Sequence, residues 1–171
     1  PVVFALDRGG LVGEDGPTHH GAFDLSYLSQ IPNMAVMVPR DERMLKEMLE
    51  AAVAYTEGPV ALRYPRGRGV GRQNYLVKDE LTWGRGQLLR PGRDAMILAA
   101  GPLAYQALMA ASRLEAEGRS VGVWDPCFIK PLDREGILAL CQDCRAIVTI
   151  EENVASGGFG SQVASLLAGQ E

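Results

Sequence analysis

Short apolar runs that alternate with amphipathic segments predict an α/β protein built on parallel sheets. Three observations carry that expectation. The runs "VVFALD" (2–7), "MAVMVP" (34–39) and "VALRYP" (60–65) are too apolar for a one-sided sheet and read as buried parallel strands. Between the last two, Met44, Leu45, Met48, Leu49 and Ala52 recur at helical spacing with charges opposite. The same alternation of strand and helix then resumes after residue 93.

Each element has a local reason. The helix over 41–55 starts at Asp41, an N-cap, with Glu42 in its first turn, and Gly58-Pro59 ends it. Beyond "RYPRG" the chain turns to glycine and arginine without periodicity, so 68–80 reads as a linker between units at 1–72 and 80–171. In the second unit "DAMILAAG" (94–101) is a strand and "LAYQALMAASRLEAEG" (103–118) a helix stopped by Gly118. "SVGVWDPCFIKPL" (120–132) holds a strand, "DREGILALC" (133–141) a helix and "AIVTIEE" (146–152) another strand. A last helix begins after the glycine-rich turn near 157. The chain opens on an apolar strand already under way and stops in a helix, as the interior of a longer protein would.

Composition narrows the function. The 171 residues are 47% hydrophobic and 22% charged, with a net charge of −4, which disfavours nucleic-acid and membrane-surface partners. Three cysteines, an odd number, suit a reducing cytoplasm better than a disulfide framework. The pair in "CQDC", Cys141 and Cys144, has metal or redox spacing but no second ligand pair, and it ends a helix instead of starting one, so the reading is two inert thiols.

The chemistry-bearing positions sit at strand ends. In an open parallel sheet, ligands gather beyond the carboxyl ends of the strands. Arg8 follows the first strand and Arg66 follows "VALRYP", so the two guanidiniums can converge as a fork for phosphate. Pairing of each with a local carboxylate such as Asp7 is the other open reading. Asp15 and His19 lie in the loop "DRGGLVGEDGPTHHGAF", which leaves the same edge. They could handle protons beside a phosphate ester, or His19 could simply satisfy a surface loop. His20 is the weaker of the two rings. "SGGFG" (156–160) has the look of a phosphate-cradling helix start, but close backbone packing or a subunit contact is the favoured use. Arg63, Arg68 and Arg72 could extend the positive edge, although a solvated linker explains Arg68 and Arg72 as well.

"DRGGLVGEDGPTHHGAFDLSYLSQIPNM", "VMVPRDE" and "GPVALRYPRGRGVG", followed by "FIKPLD", "TIEEN" and "GGFGSQV", closely resemble the 1-deoxy-D-xylulose-5-phosphate synthases. Those enzymes are thiamine-diphosphate-dependent members of the transketolase superfamily. The resemblance implies the later part of a pyrimidine-binding domain followed by a transketolase C-terminal domain. It also implies condensation of pyruvate with D-glyceraldehyde 3-phosphate, releasing CO2, in a homodimeric cytoplasmic enzyme that feeds isoprenoid, thiamine and pyridoxal synthesis. By motif, His19 would hydrogen-bond the pyruvate-derived adduct and shuttle protons. Asp15 would orient an acceptor hydroxyl, and Arg8 and Arg66 would clamp the acceptor phosphate. The glutamate that activates the cofactor and the ligands of Mg2+ would lie upstream of Pro1, so the chain alone is expected neither to hold thiamine diphosphate tightly nor to turn over. A transketolase, or a subunit or interaction half-protein of a split thiamine-diphosphate enzyme, is the alternative.

Overall fold

The apolar runs of the first half become β1 (Val3–Leu6), β2 (Ala35–Met37) and β3 (Val60–Arg63), parallel and in the spatial order β1-β3-β2. This computed structural model describes residues 1–76 and 80–169; residues 77–79, within the stretch read as a linker, lie outside them. Between β1 and β2 lies helix α1 (Asp24–Gln30), and between β2 and β3 helix α2 (Glu42–Ala54). Asp41 caps α2 as its position predicts, its Oδ1 accepting the Met44 N–H at 2.8 Å. Met44, Met48 and Ala52 are buried, whereas Leu49 faces solvent.

Two features of this half depart from the sequence reading. β1 is not a buried strand: it is the sheet edge, and Phe4 remains 43% exposed. The sequence signals no helix over 24–30, yet α1 forms there. Only Leu25 and Leu28 of its seven residues are buried, with Phe23 and Tyr27 exposed beside them, so no periodic face announces it.

The second half adds β4 (Gln87–Arg90), β5 (Ala95–Ala99), helix α3 (Leu103–Ala116), β6 (Val121–Asp125), β7 (Phe128–Lys130), helix α4 (Arg134–Asp143), β8 (Ile147–Ile150) and helix α5 (Phe159–Ala168). Its sheet runs β4-β6-β5-β8, with β5 parallel to β6 and β8, and β4 antiparallel at the edge. The stretch 120–132, expected to hold one strand, holds two that part company. β6 stays in the second sheet, and β7 crosses to pair antiparallel with β2 in the first. Pro126 and Cys127 make the break, Cys127 sitting in the left-handed region at φ +55°.

The crossing fuses the two cores. Leu25, Leu28, Val36 and Val38 of the first half pack in one cluster with Leu98, Trp124, Ile129 and Phe159 of the second. A buried polar seam runs beside it. Arg40 Nη1 donates to Asp125 Oδ2 and to Gln87 Oε1, both at 2.8 Å, and Arg40 Nε lies 3.6 Å from Asp41 Oδ2. Burial pushes the Asp125 carboxyl upward in pKa despite Arg40. Burial also works against the charge of Arg40, yet the attraction of Asp125 leaves the guanidinium pKa raised.

Candidate active site

Parallel register decides which side chains can meet. Leu6 lies opposite Arg63 across the β1–β3 pair, so the residues that follow both strands leave from one edge. The ladder continues past the strands, with the Gly9 N–H donating to the Tyr64 carbonyl at 2.9 Å. Arg8 turns the chain there in the left-handed region, φ +59°. Its Nε donates to Asp15 Oδ2 at 2.7 Å and its Nη1 to Asp7 Oδ2 at 2.5 Å. Arg66 Nη1 pairs with the other oxygen of Asp15. The two arginines therefore meet, and they meet on a carboxylate of this chain. Asp15 is largely buried by that bridge, while both guanidiniums stay partly open to solvent.

The loop is closed at its base by backbone. Gly10 N–H donates to the Gly21 carbonyl and Gly21 N–H to those of Gly10 and Arg8, each at 3.0 Å. A side chain on Gly21 would run into the Arg8 carbonyl and Asp24, so this neck requires glycine. Two 3₁₀ turns, Gly13–Asp15 and Pro17–His19, follow one another inside the loop. His20 is structural: its Nδ1 accepts the Val12 N–H at 3.0 Å. His19 is exposed, and its Nδ1 sits 3.0 Å from Thr18 Oγ1. Among the described residues His19 makes no hydrogen bond or ion pair with Arg8, Asp15 or Arg66, so the geometry unites three of the four predicted residues directly and the imidazole is not bonded to them.

Arg66 also faces a cavity of about 320 Å³ at the carboxyl ends of β2 and β3, walled by Pro39, Arg40, Tyr64, Arg68 and, from α3's start, Pro102. That is the size of a small-metabolite pocket. Arg8, Asp15 and His19 are not on its wall.

Other motifs resolve into structure. The Glu151 carboxylate accepts the Phe159 and Gly160 N–H groups at 2.8 and 2.7 Å, so the glycine-rich start of α5 already holds an anion of its own. Burial pushes the Cys141 and Cys144 thiols up, away from the thiolate form. No group of three or more His, Cys, Asp or Glu side chains is gathered among the described residues as a metal site requires. Sequence reasoning missed the supports of the loop and read one of them, Arg63, as an extension of the positive edge. Arg63 is buried, and its Nη2 donates to the carbonyls of Gly21, at 2.7 Å, and Glu152. Burial lowers its pKa, against the pull of Asp24 and Glu152. The only signal was an arginine at the last position of an apolar strand.

Residues 1–70 match the transketolase pyrimidine-binding domain and residues 84–171 the transketolase C-terminal domain. The chain belongs to the transketolase family. Within that family it is 50% identical over 169 residues to the 1-deoxy-D-xylulose-5-phosphate synthase of Oleidesulfovibrio alaskensis, covering 98% of this chain and 26% of that protein. It is 52% identical over 167 residues to the synthase of Syntrophus aciditrophicus, again covering 98% and 26%. This transketolase-family chain thus spans about a quarter of the length of the curated relatives it matches. Among solved structures, a split-gene transketolase described as an inactive β4 tetramer superposes with a TM-score of 0.83 at 34% identity, covering 98% of this chain and 53% of that one. A transketolase mutant from Pichia stipitis, 21% identical, shares the fold with a TM-score of 0.72 over 94% of this chain and 27% of its own.

Proposed function

We propose that this chain forms the acceptor-binding part of a 1-deoxy-D-xylulose-5-phosphate synthase, a transferase that condenses pyruvate with D-glyceraldehyde 3-phosphate and releases CO2. The convergence of Arg8 and Arg66 on one carboxylate at a shared strand edge carries this reading. The relatives named for that activity, near 50% identity over almost the whole chain, support it. In this reading the two arginines clamp the phosphate of the triose. Asp15, displaced from the fork, accepts a hydroxyl of the acceptor, and exposed His19 passes protons at the reacting carbon and oxygen.

The described residues do not fit the diphosphate or the metal of a thiamine-diphosphate enzyme. They gather no acidic metal cluster, and the one glycine-rich helix start is taken by Glu151. In this proposal thiamine diphosphate and Mg2+ are held by other parts of the whole enzyme, a cytoplasmic homodimer. The chain alone should give no turnover.

Substitution tests the clamp. In the whole enzyme Arg66→Ala should raise KM for glyceraldehyde 3-phosphate about tenfold or more, the loss of a charge-assisted bond, and leave KM for pyruvate in place. Equal effects on both substrates would remove the assignment. A second reading, a subunit of a split transketolase, is favoured by the likeness to the split-gene structure. Turnover with xylulose 5-phosphate as donor, and none with pyruvate, would select it.

A further inference from the structure

The loop bearing Arg8, Asp15 and His19 closes on itself at Gly10 and Gly21, but its base is held by the second half of the chain. The turn after β8 does this. Val154 N–H donates to the Ala22 carbonyl at 2.8 Å. Asn153 Oδ1 accepts the Leu25 N–H at 3.2 Å, and its Nδ2 donates to Ser26 Oγ at 2.9 Å. Ser26 Oγ in turn donates to the Ser156 carbonyl at 2.7 Å. Glu152 fills the space beside Gly10, its carboxyl carbon 2.6 Å from where a Cβ would stand. From the other side Arg63 bonds the Gly21 carbonyl, in the loop, and the Glu152 carbonyl, in the turn, with one terminal nitrogen.

Arg63 makes this a joint instead of a mere contact. Its side chain is 7% exposed, its Nε finds no hydrogen-bond acceptor, and its nearest carboxylate oxygen, on Asp24, is 3.6 Å from that nitrogen. A buried cation is tolerated only while its partners stay in place. Those partners come from β3's own half and from the segment after β8 together, so the loop neck cannot shift without the turn and the turn cannot leave without stranding the guanidinium.

We propose that the Glu152–Ser156 turn, acting through Asn153 and Arg63, is a positioning element that sets where the loop presents Arg8, Asp15 and His19. This gives the second half of the chain a role in a site to which it lends no clamp residue. Only the identity of what the loop holds rests on the acceptor reading.

Amide hydrogen exchange on the full-length protein tests the joint, comparing wild type with Asn153→Ala and with the milder Ser26→Ala. Asn153→Ala loses three neutral hydrogen bonds, two of them to the Leu25–Ser26 segment and one to the Val154 carbonyl within the turn, and should speed exchange at residues 10–22 about tenfold, Ser26→Ala less, with the amides of β2, β5 and β6 unchanged. A uniform rise, or no rise, overturns the proposal. The kinetic readout is a split: KM for glyceraldehyde 3-phosphate rises with KM for pyruvate constant, whereas a merely less stable enzyme would lose kcat for both. Faster loop exchange without that split would uphold the joint and remove the acceptor reading alone.

Discussion

Neutralising Asp125 isolates the charge at the seam between the two halves. The residue is fully buried at 0% exposure against Arg40 at 3%. Asp125→Asn keeps the shape and the oxygen that accepts the Cys127 N–H at 2.9 Å, but it removes the charge facing Arg40 and turns the atom there from an acceptor into an NH2 donor. Breaking a buried pair by removing one partner costs about 3–5 kcal/mol, because the other charge stays behind. Arg40 retains Gln87 at 2.8 Å and Asp41 at 3.6 Å, which places the cost near the low end, about 3 kcal/mol. For a chain of this size that is a fall in Tm of about 6–12 °C. The double variant Arg40→Met, Asp125→Asn should recover most of it, since Asp41 still accepts from Met44 N–H and Tyr105 and burial already works against the Asp125 charge. Urea melts of the two single variants and the double close the cycle. A single-variant loss under about 1 kcal/mol, or a double variant that merely sums the singles, would refute the claim that the seam is a coupled charge pair.

Alkaline stability should report on Tyr105. Burial, then its hydrogen bond to Asp41, pushes the phenol from 10.0 up to about 12. The folded state holds that proton more tightly, so its contribution is complete below pH 10 and is lost as pH rises toward 12. Partial exposure reduces it to about 1 kcal/mol, and the urea midpoint should fall over that range in wild type but less in Tyr105→Phe. Glu151→Ala removes both acceptors at the start of α5 and should cost about 1–2 kcal/mol by thermal melting; an unchanged Tm would mean water replaces the cap fully. His20→Ala should free the Val12 amide to exchange and cost about 1 kcal/mol, while unchanged protection there would show that the ring does not accept that bond.

What was legible in the sequence was what local pattern encodes. The apolar runs at β2 and β3, and the Asp41-capped helix with Met44 and Met48 inward, follow from period and cap alone. Strand ends also foretold that Arg8 and Arg66 would approach each other, because parallel register makes that a statement about topology. β4 was hidden, as "QLLR" between glycine–arginine pairs has neither a buried run nor clean alternation. β7 was not separated from β6, because the stretch 120–132 read as holding a single strand, and nothing within "FIK" distinguishes an edge on β2 from a continuation of β6. Asp15 as a bridge, and Arg63 with Asn153 as loop supports, depend on partners 42 to 128 residues away, beyond any local pattern.

Asp15 also explains why the carboxylate and phosphate readings of the fork need not exclude each other. Two guanidiniums brought side by side repel, and a single carboxylate between them, bonded to both, keeps them aimed at one point. A unit charge pair at about 4 Å is worth about 1 kcal/mol in water and about 4 kcal/mol at an effective dielectric of 20. Arg8 and Arg66 are partly exposed, which puts each interaction nearer the lower figure. On the proposed reading, a phosphate dianion entering the fork offers each arginine a second unit of charge, about 2 kcal/mol over both, and can displace the carboxylate without the arginines moving. The fork is then preorganised by its own surrogate, and Asp15, once released, is left beside the triose with a free oxygen for its hydroxyl.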